Sequence, residues 1–358
     1  MHRPSPEHLR RLDQLYGARG ELLKLAEGSP GRIEPARHLY VTDIFRDVAD
    51  ALIERLVKDE HGRPLGWSRN LAASSPGTLN TAYVIRTLQL LDDGRVDLHS
   101  LADILDQDRH PDGWGYRIEE HARPEVTAVV LTALARLGRL TDVDNDLNQL
   151  KALVDDFARS RPFVLAVALE GALAIRPEST VAHDLTRYLL NSRTPHGDRM
   201  LWTMTTSAPS GRTTPSLAHT ARATAVLRLA QPNTPHQTEV DEAVKMATEW
   251  MISLHKSDTG AIELLEGSET RPAIPIHHFT AAWVIRALAS VKDVPATRLN
   301  AALDVLWGSY SPTDRLWIWR DEGSLPSWMT LDAVSALRVH AEASLLSPFS
   351  TGTGGDIS

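Results

Sequence analysis

The sequence contains no cysteine, few aromatic residues and no long apolar run. Without cysteine the chain has no disulfides, thiolate ligands or cysteine nucleophile, and we expect a cytoplasmic protein. No segment approaches membrane-spanning length and no signal-peptide pattern opens the chain, so we expect no membrane span. The formal net charge is −8 and the Lys and Arg residues are scattered. This charge pattern argues against nucleic acid as a partner.

What the sequence does contain is a repeated helical segment rich in Ala and Thr. The clearest copies are YVIRTL, ending at Leu88, and WVIRAL, ending at Leu288. Six copies, spaced by roughly 40 to 60 residues, indicate stacked helix pairs. The closing residues of the copies are Leu88, Leu134, Leu173, Leu227, Leu288 and Leu337.

Helices of a second kind lie between these copies. They keep their apolar residues on one stripe, as in Leu147, Leu150, Val154 and Phe157, which is typical of a solvent-facing helix. The repeated segments are apolar nearly all round, so we expect them to be inner helices packed on both sides. The predicted outer helices cover residues 97–107, 143–159, 179–190, 238–254 and 296–306, with a further amphipathic helix at 35–57.

The alternation predicts an all-α protein, either an open superhelix or a closed ring of helix pairs. We favour the ring, an (α/α)6 toroid over residues 39–346 with inner and outer helices. Residues 1–38 are predicted to be an N-terminal helical extension, and 347–358 a flexible tail rich in Gly, Ser and Thr. The long insertion at 191–215 is a candidate lid.

A tryptophan recurs in the turn before several inner helices, at positions 67, 114, 202 and 317. Gln107 precedes Asp112-Gly113-Trp114, and Thr127-Ala128 opens the following helix. This pattern resembles the repeat of squalene-hopene cyclases and protein prenyltransferase β subunits, over roughly residues 45 to 345. The resemblance implies an α/α toroid in which the turn Trp and Gln tie neighbouring repeats together.

Class II terpene cyclases carry Asp-x-Asp-Asp before a Thr-Ala helix start, and the middle Asp protonates an alkene or epoxide. Aligning Thr127-Ala128 with that start puts Arg123, Glu125 and Val126 on the acidic positions, so only Glu125 retains a carboxyl. A catalytic carboxylic acid must stay protonated, which burial favours and a neighbouring Arg opposes. We take Glu125 and Asp332 as the candidate catalytic residues.

Histidines also cluster near the predicted starts of inner helices, at His219, His277 and His278. Protein prenyltransferases hold zinc with Asp, Cys and His, but this chain has no Cys. His277 and His278 are adjacent and cannot easily face the same way, and no His-x-x-x-His spacing supports them. We therefore assign no metal and no cofactor, and place the three histidines among the ligand-binding candidates.

Terpene cyclases line their cavities with aromatic side chains, whose faces stabilise carbocations. Only 6% of this chain is aromatic, and the four turn tryptophans are expected to serve the repeat. The aromatic candidates for the cavity wall are Tyr83, Phe279, Trp283 and Trp328.

Three interpretations remain open. The favoured one is a cyclase-like toroid that binds an isoprenoid or other apolar molecule and carries out proton-initiated cyclisation or isomerisation. The second is a non-catalytic prenyltransferase-like scaffold that binds a protein or peptide. The third is a carbohydrate-active α/α toroid, in which two of Glu125, Glu170 and Asp332 flank a sugar.

Overall fold

The computed structural model describes residues 33–116, 121–157, 159–206, 214–254, 261–265 and 273–346. Within these residues the chain forms twelve α-helices and four two-stranded hairpins. The predicted all-α fold is confirmed. The predicted tail at 347–358 and most of the predicted extension at 1–38 lie outside the described residues.

The even-numbered helices contain the repeated segments and form the inner layer. They are apolar on nearly every side because each packs between two neighbours; in α6, for example, eleven of fourteen residues are buried. Their bounds are α2 Thr78–Leu90, α4 Pro124–Arg136, α6 Pro162–Ile175, α8 Leu217–Ala230, α10 Thr280–Leu288 and α12 Ser327–Leu346.

The odd-numbered helices form the outer layer and are amphipathic. Side-chain caps mark where two of them begin: Asp97 accepts from the backbone N–H groups of His99 and Ser100, and Ser179 accepts from that of Ala182. The bounds are α1 Ile33–Glu54, α3 Leu98–Gln107, α5 Val143–Phe157, α7 Thr180–Asn191, α9 Gln237–Ser253 and α11 Ala296–Gly308.

The inner helices close into a ring. Each packs against the next along the chain, and the last, α12, packs against the first, α2. This contact decides between the superhelix and the toroid, which the periodicity left open.

Antiparallel hairpins follow four of the outer helices and lead toward the next inner helix. They pair β1 Val57–Lys58 with β2 Pro64–Gly66, β3 Thr194–His196 with β4 Arg199–Leu201, β5 Ala261–Leu265 with β6 Ile274–His278, and β7 Tyr310–Ser311 with β8 Leu316–Trp317.

The four turn tryptophans are fully buried and share one structural role. Each indole N–H donates to a backbone carbonyl in the last turn of the preceding outer helix, so the turn is fixed to that helix. The hydrogen bond therefore joins the turn to the outer helix just before it. The donor–acceptor distances are 2.7 Å from Trp67 to Leu52, 2.6 Å from Trp114 to Leu105, 2.9 Å from Trp202 to Leu189 and 3.1 Å from Trp317 to Leu306.

A Thr in the first turn of the inner helix completes this turn; the helix begins three residues before the Thr-Ala pair that the sequence pattern placed at its start. The backbone N–H of Trp114 donates to Thr127 Oγ1 at 3.0 Å, and that of Trp67 donates to Thr81 Oγ1 at 3.1 Å. Gly113 precedes Trp114 with φ +133°, and a Cβ placed there would lie 2.4 Å from Thr127 Oγ1. Glycine is required here because of both the backbone angle and the close approach.

Candidate functional site

A cavity of about 430 Å³ lies inside the ring, and all six inner helices contribute side chains to its wall. This volume is within the usual range for small-molecule sites, which extends from roughly 300 to 1,000 Å³. Strand β6 and the residue before it also line the cavity, from Ala273 to His277. The strand that lines the cavity thus belongs to the β5–β6 pair, while no described residue of the predicted lid at 191–215 lines it.

One part of the cavity wall is aromatic. Tyr83, Tyr116, Phe163, Trp328 and His277 all line it. The His277 ring lies edge-on to Trp319 with centroids 5.0 Å apart, and Trp319 in turn lies 5.7 Å from Trp328. Burial raises the pKa of the Tyr83 hydroxyl to about 12, so this residue presents a neutral O–H to the cavity.

A second part of the wall is cationic. Arg86 and Arg286 both donate to Glu170 Oε1, at 3.3 and 3.0 Å. Burial opposes ionisation of Glu170, but the two guanidinium groups hold its pKa at about 2. Glu170 is therefore an ionised structural partner of the arginines and a poor candidate for an acid.

Arg222 is the third arginine of this wall, and it differs from the other two. Its guanidinium carbon lies 4.0 Å from the Trp283 ring centroid and 4.7 Å from that of Phe163. Among the described residues it forms no ion pair, and its buried Nε has no hydrogen-bond partner. Burial lowers the pKa of Arg222. A guanidinium held between aromatic rings without a carboxylate partner is suited to an anionic group of a ligand.

Asp332 lines the same cavity and is almost fully buried, with 9% of its surface exposed. Its Oδ2 accepts a hydrogen bond from Trp283 Nε1 at 3.0 Å. Burial raises the pKa of this carboxyl to about 6, although Arg222 and Arg286 favour its ionised form. Among the cavity carboxyls, Asp332 thus combines burial with a proton that is available near neutral pH.

Glu125 also lines the cavity, in the first turn of α4. Arg123 does not point away from it: its Nε lies 3.3 Å from Glu125 Oε1, and both side chains are buried. A buried arginine at this distance stabilises the carboxylate and opposes the protonated form that a catalytic acid needs.

Two of the three predicted histidines lie in a separate cluster rather than on the cavity wall. The Nε2 atoms of His219 and His278 both contact Glu263 Oε2, the latter at 3.0 Å. His278 and His277 point to opposite sides of β6, as their adjacency predicted, so the three histidines do not converge. Nothing singled out Glu263 in the sequence, because it follows an outer helix in a segment without a motif.

The structure places the predicted site residues in three groups. Glu125, Asp332, His277, Tyr83 and Trp328 line the cavity. Two predicted wall residues do not line it: Trp283 is buried behind Arg222 and Asp332, and Phe279 is fully buried in the core. His219 and His278 form the third group, with Glu263.

No family model matches this sequence, and neither does any curated protein. Several solved structures match in fold. A protein from Actinoplanes superposes with a TM-score of 0.53 at 16% identity, covering 84% of this chain and 99% of that one. The type II terpene cyclase MstE from Scytonema, in complex with its product merosterolic acid A, superposes with a TM-score of 0.52 at 15% identity. The match covers 85% of this chain and 99% of that one.

An α-1,6-mannanase from Salegentibacter, in complex with α-1,6-mannotetrose, gives a TM-score of 0.54 at 12% identity and covers 85% of this chain and 99% of that one. The shared fold of these proteins is the α/α toroid. At such identities the comparisons establish the fold and favour neither terpene nor carbohydrate chemistry.

Two exposed large apolar side chains of the described residues, Ile262 and Leu264, lie two residues apart on β5. Across the described ranges, none of the helices is long and apolar enough to cross a membrane.

Proposed function

We propose that the central cavity binds an amphiphilic molecule with an isoprenoid-like apolar part and an anionic group, and that Asp332 protonates its apolar part. The observation that carries this proposal is the buried Asp332 carboxyl, which lies on the cavity wall under the Trp283 indole N–H. Its pKa of about 6 keeps a fraction of the side chain protonated near neutral pH.

The surroundings of Asp332 favour proton transfer to a ligand. When the carboxyl O–H gives its proton to an alkene carbon, a C–H bond forms, the π bond breaks and a carbocation is left on the other carbon. The resulting carboxylate is stabilised by the Trp283 N–H and by the charges of Arg222 and Arg286. Loss of a proton from the cation then completes an isomerisation or cyclisation.

The ligand's anionic group is expected at Arg222. Arg86 and Arg286 are already paired with Glu170, whereas Arg222 has no carboxylate partner among the described residues. An anion bound there would leave the apolar chain to contact Tyr83, Val167, Trp328 and Leu331 elsewhere on the wall. Glu125, next to Arg123, is then a candidate proton acceptor.

A carbohydrate is the second candidate ligand, and specific features favour it too. Glu125 and Asp332 are two carboxyls on one cavity wall, and their surroundings differ: Arg123 lies beside Glu125, whereas burial raises the pKa of Asp332 to about 6. Trp328 and Tyr83 offer flat faces for a sugar ring. The third candidate, a non-catalytic scaffold for a protein or peptide, requires no turnover at all.

Native mass spectrometry of the purified full-length chain tests the proposal directly. We would first extract and identify any copurifying molecule, then titrate farnesyl phosphate, farnesol and an α-1,6-linked mannobiose. The proposal expects farnesyl phosphate to bind at least about tenfold more tightly than farnesol, a difference worth about 1.4 kcal/mol. Preferential binding of the mannobiose would favour the carbohydrate alternative, and binding of none would overturn the small-molecule proposal.

Paired variants locate the binding. Val167→Trp fills the cavity and should abolish farnesyl phosphate binding, while Leu229→Trp alters a half-exposed position on an inner helix and should not. Arg222→Gln should remove the preference for the phosphate over the alcohol. Turnover is read in D2O, where protonation by Asp332 adds one deuterium to the product, and Asp332→Asn should stop this incorporation while leaving binding intact.

A further inference from the structure

Outside the central cavity, His219, Glu263 and His278 form a cluster that neither the proposed reaction nor the repeat uses. His219 lies in the first turn of α8, Glu263 on β5 and His278 at the end of β6. Their side chains are 0%, 0% and 3% exposed, and one ligating atom from each lies within 4.8 Å of the others. Phe163, whose ring contacts His278, separates the cluster from the cavity.

We propose that His219, Glu263 and His278 bind a divalent transition-metal ion, with zinc as the ion that best fits the ligands. Two imidazole nitrogens and a carboxylate are an established ligand set for Zn²⁺, and the absence of cysteine does not exclude it. The site concerns binding and structure, so it stands or falls independently of the reaction proposed for Asp332.

The hydrogen bonding around the cluster is what a metal site needs. Ser216 Oγ lies 2.8 Å from His219 Nδ1, which fixes the ring and leaves Nε2 directed at Glu263. Metal-binding histidines are usually oriented in this way through their other nitrogen. Both Nε2 atoms point at a single oxygen, Glu263 Oε2, so three ligating atoms already converge.

Glu263 also has an unused buried oxygen. Its Oε1 has no hydrogen-bond partner among the described residues, and no Lys or Arg forms an ion pair with this carboxylate there. A buried carboxylate oxygen without a donor is unfavourable, because it has lost its water and gained no hydrogen bond. A cation held by both carboxylate oxygens and the two imidazoles would supply the missing partner and the missing positive charge, giving four ligating atoms.

Binding an ion requires the ligand atoms, which now lie within 4.8 Å of one another, to move to a common distance from it. An ion about 2.1 Å from each imidazole nitrogen and from Glu263 Oε2 places these three atoms about 3.4 Å apart at tetrahedral angles. His278 Nε2 and Glu263 Oε2 are now 3.0 Å apart. The bound ion would join both strands of the β5–β6 hairpin to helix α8, and it would thereby hold β6 over the central cavity.

The test measures metal in the full-length protein. The chain is expressed with zinc in the medium and desalted. Inductively coupled plasma mass spectrometry should then find about one zinc per chain. After removal of the zinc by a chelator, Co²⁺ titration should give visible absorption bands of a tetrahedral site. A wild-type chain that carries no zinc and gives no Co²⁺ bands would overturn the proposal and leave a hydrogen-bonded cluster.

Variants identify the ligands. Glu263→Gln and His278→Asn should each weaken Co²⁺ binding at least about a hundredfold, and Ser216→Ala, which changes a positioning residue, about tenfold. His277→Asn is the matched control, because this histidine is the neighbour of His278 on the other side of β6. Equal Co²⁺ binding by wild type and Glu263→Gln would contradict the assignment. If the variants do not fold, the wild-type thermal midpoint decides: it should fall with chelator and recover with zinc.

Discussion

The indole N–H of Trp283 donates to Asp332 Oδ2 at 3.0 Å, although the two residues belong to different inner helices. The same indole ring supports Arg222 on one side and Arg286 on another, at 4.0 and 4.1 Å from its centroid. Trp283 therefore acts behind the cavity wall: it positions the carboxyl and the two cations without touching the cavity itself.

Trp283→Phe should raise the pKa of Asp332 above its value of about 6. Phenylalanine keeps an aromatic face for the two arginines but removes the hydrogen bond that favours the ionised carboxyl. We expect an upward shift of up to about one pKa unit. A carboxyl ¹³C NMR titration measures it, with Trp307→Phe on an outer helix as the control. An unchanged or lower pKa in Trp283→Phe would count against the role assigned to this hydrogen bond.

Asp332→Asn should stabilise the protein more at pH 8 than at pH 4. The folded-state pKa of about 6 lies above the ordinary aspartate value of 3.8. Between pH 3.8 and pH 6 the folded state therefore binds more protons than the unfolded state, and the stability of the protein falls as pH rises through this range. Above pH 6 the ionised Asp332 is unfavourable by about 3 kcal/mol, which Asn avoids.

Denaturant unfolding of wild type and Asp332→Asn from pH 4 to pH 8 gives the difference between their free energies of unfolding directly. Other titrating groups cancel because both proteins contain them. Ser335→Ala, another cavity residue on α12, adds and removes no titrating group, so its difference from wild type should not vary with pH. A pH-independent difference for Asp332→Asn would refute the raised pKa.

The sequence was sufficient to predict the inner and outer helices, because the outer helices keep their apolar residues on one stripe whereas the inner helices are apolar nearly all round. It was not sufficient for ring closure, since the contact between α12 and α2 joins the two ends of the repeat and leaves no local pattern. The turn tryptophans were predictable because a residue that recurs in several repeats is expected to serve the repeat.

The cavity was only partly predictable. Glu125, His277 and Asp332 could be placed near it from their positions at or close to inner-helix starts. Tyr83 and Trp328 could be placed there as aromatic residues that the turns do not use. Its cationic character was missed, although a signal existed: YVIRTL and WVIRAL each contain an arginine within an otherwise apolar inner helix. Such an arginine must be paired or stacked when buried, and both pair with Glu170 on a third helix, which sequence spacing alone does not reveal.

Glu170→Gln should destabilise the protein by about 3 kcal/mol at pH 7, because it leaves Arg86 and Arg286 without their shared carboxylate. The depressed pKa of about 2 means that wild type loses this stabilisation as pH falls from about 4.5 toward 2. The difference in the free energy of unfolding between wild type and Glu170→Gln, measured by urea unfolding, should therefore decrease as pH falls over that range.

The control for Glu170→Gln is Asp43→Asn, which breaks an exposed ion pair with Arg46. Exposed pairs contribute little, so no measurable change is expected from it. If Glu170→Gln also left the free energy of unfolding unchanged, the charges of the two arginines would have to be neutralised by a group other than Glu170.

Gly113→Ala should destabilise the protein more than Gly62→Ala does, by at least about 2 kcal/mol. Both glycines have positive φ, +133° and +79°, but a Cβ at Gly62 meets open space whereas one at Gly113 lies 2.4 Å from Thr127 Oγ1. Gly62→Ala thus isolates the backbone strain, roughly 1 kcal/mol.

A double-mutant cycle then separates the clash from the strain at Gly113. Thr127→Ala removes the clashing hydroxyl and with it the acceptor for the Trp114 N–H, so it destabilises the protein by itself. Because the clash is absent once Thr127 is Ala, Gly113→Ala should be less harmful in that background, and the double variant should be more stable than the sum of the single effects. Strict additivity in thermal or urea unfolding would mean that the Gly–Trp turn and the Thr of the inner helix are not packed together as the repeat requires.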